Sequence, residues 1–173
     1  MEFNIRRLNE NDWDTLVSWW DEWPGWQNPS KDFLPDNGTG GLIVEKDNVP
    51  IVAGFMYFTN SMGVLLEWIV SNPSYKDDDR QDAIEFLILT CEEYIKANGK
   101  KYIFSIGRNK HLIETHKKLG YHVDEKISHE IIKKIKYCGI YSNSNWCRIS
   151  DFSNISWNEF FSSSKAKKNS IKS

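Results

Sequence analysis

Two side chains in this sequence pair a reactive group with a setting that could tune it. Glu67 stands among Leu65, Leu66 and Trp68. Burial among apolar neighbours raises a carboxyl pKa and lets the carboxylate accept a proton near neutrality. Glu67 is therefore a candidate general base, with a solvated strand residue as the plainer reading. His116 carries an imidazole, whose reference pKa of about 6.5 leaves a protonated fraction for general-acid work. It also shares a helical face with Leu112 and Leu119, where a hydrogen-bonded core histidine is the ordinary outcome. Tryptophan is the third conspicuous type. Trp13, Trp19, Trp20, Trp23 and Trp26, five of the eight in the chain, fall within the first 26 residues. Trp13 and Trp20 repeat at helical spacing with Leu16 and Val17 and read as core. Trp19, Trp23 and Trp26 do not fit that stripe. Aromatic walls suit flat or cationic groups, and a hydrophobic minicore under a long loop would use them equally well.

The composition narrows the class. Hydrophobic residues make up 40% of the 173 and charged residues 27%, with a formal net charge of −2. One domain can bury a core with that, and it has no general attraction for nucleic acid or an anionic membrane. From Tyr141 onward five basic residues face only Asp151 and Glu159, a local +3 that leaves −5 for the rest. Cys91, Cys138 and Cys147 lack the spacing of a disulfide framework or a zinc site, so no metal is expected. No run approaches the roughly 18–20 apolar residues of a membrane span. Residues 1–6 lack the layout of a secretion signal. A reduced, cytoplasmic setting is the expectation.

The elements that must hold these groups are legible. Residues 3–8 alternate as a half-buried strand. Asn9 to Asn11 offer helix-start chemistry, and Trp23-Pro24-Gly25-Trp26 ends the helix that follows. After a loop to Gly41, strands are expected over residues 41–45, 49–58 and 64–71, joined by short polar turns into an antiparallel meander. A long helix runs over residues 80–98, with Ala83, Phe86, Leu87, Thr90, Cys91 and Tyr94 on one face and Gly99 as its stop. A buried strand over 102–106 and a helix over 109–119 come next. Strands at 121–123 and 127–135 would complete the sheet. The expectation is an α/β domain: a mixed, mostly antiparallel sheet with helices on both faces, over residues 1–140. Residues 141–173, rich in Ser, Asn and Lys, read as a flexible C-terminal tail.

Three segments in this order resemble the GNAT N-acetyltransferase superfamily across about residues 3–136. Leu66-Glu67-Trp68-Ile69-Val70-Ser71-Asn72-Pro73 is similar to its central strand with the V-x-x-P ending. The helix from Arg80 has the length of the one that receives the cofactor pyrophosphate. The segment from Asn109 through His116 to Leu119-Gly120-Tyr121 resembles N-x-x-A-x-x-x-Y-x-x-x-G-F. The resemblance implies acetyl-CoA as co-substrate, with its pantetheine arm against Ile69 and Val70. Its pyrophosphate would lie at the amides of residues 80–83, where N-terminal N–H groups favour an anion. Arg80, Gln81, Asp82, Ala83 and Asn109 are thus the implied cofactor-binding residues. His116 takes the position of the tyrosine that protonates the departing thiolate. Trp23 and Trp26 would border the acceptor pocket.

The sequence departs from that pattern where the cofactor should lie. The usual Q/R-x-x-G-x-G/A loop reads Arg80, Ala83 and Glu85 here, and Lys76-Asp77-Asp78-Asp79 precedes it. Glycine permits the close backbone approach that a phosphate needs, and carboxylates repel one. Two functions therefore stand side by side. One is an acyl-CoA-dependent N-acyltransferase acting on a small-molecule or peptide amine. The other is a catalytically inactive GNAT-like domain that binds protein. Neither involves nucleic acid or a membrane, and the residues leave a homodimer open.

Overall fold

Short-range signals set each element of the computed structural model, which describes residues 3–107 and 109–124. Strand β1 (Asn4–Arg7) leads to a reciprocal cap in which the Asn9 side chain accepts the Asn11 N–H and Asp12 accepts the Asn9 N–H. Helix α1 (Trp13–Glu22) follows. Asp12 also takes a two-pronged hydrogen bond from Arg6, at 2.7 and 2.8 Å, and the same guanidinium holds Glu45. One arginine thus ties the first two strands to the start of α1.

Strands β2 (Gly41–Lys46), β3 (Val49–Phe58) and β4 (Gly63–Ser71) form the meander. Asp47 and Asn48 both take left-handed backbone angles, the geometry that lets a two-residue turn follow the twist of a hairpin. Helix α2 (Arg80–Ala97), β5 (Tyr102–Phe104) and α3 (Lys110–Lys118) complete the described elements. Gly99 and Gly120, at φ of 73° and 91°, end the two helices. The next N–H in each case, from Lys100 and Tyr121, folds back to Ile95 and His116.

The sheet order is β1-β2-β3-β4-β5, antiparallel throughout except for the β4–β5 pair. Each face carries its own core. On one, α2 packs Ala83, Leu87, Ile88, Cys91 and Ile95 against Leu42, Val44, Leu66 and Ile69. On the other, α1 packs Leu16, Trp19 and Trp20 against Ile43, Phe55 and Val70.

Four expectations change. The strand over 102–106 is not buried: β5 ends at Phe104, and Tyr102 and Phe104 are 62% and 64% exposed. Trp19, unassigned by the stripe, is core and only 3% exposed. On α2, Ile88 and Ile95 replace Thr90 and Tyr94 in the buried set, because the helix turns its face along β2 and β3. Residues 121–123 carry no strand. The closing strand over 127–135, the boundary at 140–141, the tail, Cys138 and Cys147 lie outside the described residues. Among those described, no helix is long and apolar enough to cross a membrane.

Candidate active site

The site begins where β4 and β5 part. They pair at Gly63, Val64 and Leu65 with Tyr102, Ile103 and Phe104, and among the described strands β4 then runs on to Ser71 paired only with β3. A bulge marks the change. Phe55 faces Glu67 while Ala53 faces Val70, so β4 holds one residue more than β3. Trp68 absorbs it at φ 55°, a left-handed conformation that costs a bulky residue about 1–2 kcal/mol. Gly54 stands opposite: a Cβ there would sit 3.2 Å from Ile69 and 3.3 Å from Leu87.

Strict alternation would put Trp68 on the face of Leu66. The bulge overturns that expectation. Leu66 and Ile69 join the core beneath α2, while Trp68 and Val70 join the one beneath α1. Glu67 keeps the face opposite Leu66, is 8% exposed, and reaches over the gap to accept the N–H of Ile106 at 2.5 Å. The carboxylate spans the two diverging strands.

Alternation also decides which backbone groups face the gap. Asn72 N–H donates to Ile51 O, so the neighbouring pair, Ser71 with Val52, turns its own N–H and C=O away from β3. Ile69, two residues earlier, does the same. Val70 therefore offers the gap its side chain, and its amide belongs to the sheet. Ser71, which no sequence motif singled out, has an edge carbonyl, and the indole N–H of Trp23 donates to it at 2.8 Å.

The gap opens into a cavity of about 250 Å³ lined from both faces of the sheet. Trp23, Trp26, Trp68 and Val70 belong to the α1 side, and Ile69, Ile84 and Leu112 to the α2 side. Of the residues singled out from the sequence, the cavity gathers Glu67, Ile69, Val70, Arg80, Gln81, Asn109, Trp23 and Trp26. It adds Ser105, His111 and Thr115, hydrophilic residues that the motif reading missed.

Three others stand elsewhere. Ala83 is fully buried beneath α2, and its N–H already bonds Asp79 O. The Asp82 side chain is exposed and lines nothing. His116 is 4% exposed and absent from the lining. Its Nδ1 lies 2.8 Å from Leu112 O, and its ring meets Tyr121 edge-on at 4.8 Å. It takes part in the glycine-stopped end of α3, where the residue before the stop packs on the one after it. His116 is thus packed at the end of α3, with its Nε2 buried and without a hydrogen bond among the described residues.

The opening of α2 carries the polar end. Arg80 N–H bonds Asp77 O and Ala83 N–H bonds Asp79 O, whereas the N–H groups of Gln81 and Asp82 have no backbone partner among the described residues. Arg80 Nη2 braces the preceding loop through Asn72 O and Pro73 O, and its Nε is buried with no hydrogen bond. Two of the acidic residues that seemed to oppose an anion are tied away, while Asp77 and Asp78 are exposed. Asp79 is held by Lys46 and Tyr75, which keep its carboxyl below the usual aspartate range. Lys118 grips both oxygens of Glu85 at 2.7 and 2.8 Å, with Gln81 as second donor, and lowers that carboxyl too. Asn109 caps α3 by accepting the N–H of His111. Cys91 is buried in the α2 core, which pushes its thiol up to about 12 and leaves it inert.

No family model and no curated protein matches the chain by sequence. Its three-dimensional similarity is to acetyltransferases. An aminoglycoside acetyltransferase from an uncultured soil metagenomic sample, in complex with trehalose, superposes with a TM-score of 0.56 at 12% identity, covering 77% of this chain and 97% of that one. AAC(6')-Iy, in complex with the bisubstrate analogue CoA-S-monomethyl-acetylneamine, gives 0.52 at 22% identity, covering 80% and 100%. The ribosomal-protein-S18-alanine N-acetyltransferase from Escherichia coli gives 0.57 at 15%, covering 69% and 77%. A strand that leaves its parallel neighbour beside the opening of a long helix is thus set in a known framework, and the chain has the fold of the GNAT acetyltransferases.

Proposed function

We propose that the chain is an acyl-CoA-dependent N-acyltransferase that moves an acetyl group to an amine by direct attack. One observation carries the reading: the gap between β4 and β5 opens a single cavity to both faces of the sheet. Two substrates entering from opposite faces can meet at the β4 edge, which converts a bimolecular encounter into an oriented one. The residues present fit acetyl-CoA. Arg80 Nε is an orphaned buried donor at the cavity, and the N–H groups of Gln81 and Asp82 add the start of a helix dipole. Ile69 and Ser71 would pair the pantetheine arm as an added strand, with Asn109 and Leu112 alongside.

Acetyl-CoA supplies an acetyl thioester, whose carbonyl carbon gains the amine nitrogen and loses the thiol sulfur. An edge N–H of β4 polarises the carbonyl. Glu67 takes the proton that the attacking amine must lose, and the departing thiolate takes up a proton and leaves as the free thiol. Trp23 and Trp26 border the acceptor. The binding-module alternative drew on the acidic run and the missing glycines. Lys46 and Tyr75 hold Asp79 of that run and Lys118 holds Glu85, with Asp77 and Asp78 exposed to solvent, and the missing glycines matter less with Ala83 packed in the core.

Calorimetry with acetyl-CoA tests the reading. Micromolar binding is expected, and Arg80→Glu should weaken it at least tenfold. No heat at high micromolar concentration would sink the proposal. Binding without thiol release over a broad amine panel would leave a binding module.

A further inference from the structure

We infer that the acceptor is a primary amine carried on a flat aromatic group, an arylalkylamine by chemical class, selected by Trp23, Trp26 and Trp68. The inference rests on the acyl-transfer reading and goes beyond it by naming the acceptor chemistry. Three tryptophans line the cavity from the α1 face. The rings of Trp26 and Trp68 lie 6.0 Å apart with planes at 65°, so they form a corner of two flat walls. An aromatic guest rests its face on one wall and its edge on the other, the arrangement that ring quadrupoles favour. Trp23 makes a fixed third wall, because its indole N–H is bonded to Ser71 O and only its hydrocarbon surface is left for a guest.

The corner is built against the backbone's preference. Trp68 reaches it only through the bulge and its left-handed angle, and strain of this kind persists where the surroundings hold it in place. Among the described residues, one carboxylate stands beside the corner. Glu67 is the charged residue that β4 contributes to the lining, and Arg80 and His111 come from other segments. One carboxylate matches one ammonium. A polyamine's further ammonium groups would find no second carboxylate among the described lining residues, and an aminosugar would set hydroxyls against hydrocarbon on the indole side. The single ammonium at Glu67 with an aryl group on the indoles satisfies both ends. The same carboxylate takes one proton to free the amine for attack, and the second proton, lost on acyl transfer, leaves with the thiolate as thiol.

The test measures thiol release from acetyl-CoA with tryptamine, 2-phenylethylamine, propylamine, spermidine and neamine. The aryl amines should exceed propylamine at least thirtyfold in kcat/KM and should exceed spermidine and neamine as well. Trp26→Ala, and Trp26→Leu where the alanine variant melts too early to assay, should cut the aryl-to-propyl ratio at least fivefold. Turnover of spermidine or neamine equal to that of tryptamine overturns the inference, and so does an unchanged ratio in folded variants. Calorimetry separates this from the reaction itself. If acetyl-CoA does not bind, acyl transfer falls, yet tryptamine titrated onto the chain alone still reads the slot. Binding that Trp26→Leu weakens supports the slot, and absence of tryptamine binding both with and without CoA overturns it.

Discussion

Replacing Glu67 by glutamine separates chemistry from scaffolding at the centre of the site. Glutamine keeps the shape and an oxygen that can accept the Ile106 N–H. It removes the charge and the ability to take a proton. A hydrogen bond to a charged group contributes about 1.5–3 kcal/mol and a neutral one about 0.5–1.5, so the substitution should cost about 1 kcal/mol of stability. For a chain of this size that lowers the melting temperature by about 2–4 °C. Removing a general base costs about 10²–10⁴ in rate, and the acid limb of the kcat/KM profile should flatten with it. Thiol release and thermal melting are read on the same preparation. Activity within threefold of the parent, with the acid limb intact, would show that Glu67 is not the base. A fall in melting temperature beyond about 10 °C would show that the carboxylate is chiefly a strut between the strands, and the kinetic loss would then say nothing about proton transfer.

Other perturbations probe the neighbouring arrangement. Lys118→Ala releases the Glu85 carboxylate one turn behind Gln81, and acetyl-CoA affinity should fall severalfold at low salt, less at 0.5 M; Glu85→Gln in the same chain should restore it. His116→Phe keeps the edge contact with Tyr121, so kcat/KM should stay within about threefold; a hundredfold loss would return His116 to an acid role. Asp12 has its carboxyl held below the usual 3.8, first by hydrogen bonds from Arg6 and then by the Asn9 N–H, against the opposing effect of burial. Its contribution to stability is present above that value and is lost as pH falls through the folded pKa. Asp12→Asn should therefore lower stability at pH 7 by about 1–2 kcal/mol while flattening the loss of stability below pH 4, in urea titrations across pH; an unchanged acid slope would refute the pairing.

What could be read in advance was local. The short polar turn after β2, the helix-start chemistry at Asn9 and the stop at Gly99 each involve residues a few positions apart, and each element they bound was expected within a residue or two. The misreadings all involve partners distant in the chain. Glu85 looked hostile to an anion because Lys118, 33 positions away, is its partner only once α2 and α3 lie side by side. Trp23 meets Ser71 across 48 positions, and only the register of β3 against β4 turns that carbonyl toward the gap. The bulge is hidden most deeply, since Trp68 carries none of the glycine signal that a left-handed residue normally sends.

That bulge links the two halves of the site. Before it, β4 pairs with β5 and its side chains alternate in the ordinary way. After it, the register against β3 has moved by one, and the strand edge faces open space. The extra residue sends Glu67 and Trp68 toward the same face, one with the carboxylate and the other with an indole wall, while Ile69 returns to the face of α2. An unbulged strand would place Trp68 beneath α2, where Gly54, Leu87 and Leu66 already fill the core. The acceptor side would then lose its corner. The strain at Trp68 and the glycine opposite it are therefore parts of one device, which sets the Glu67 carboxylate and the Trp68 indole side by side at the edge where the proposed function would place the acyl donor.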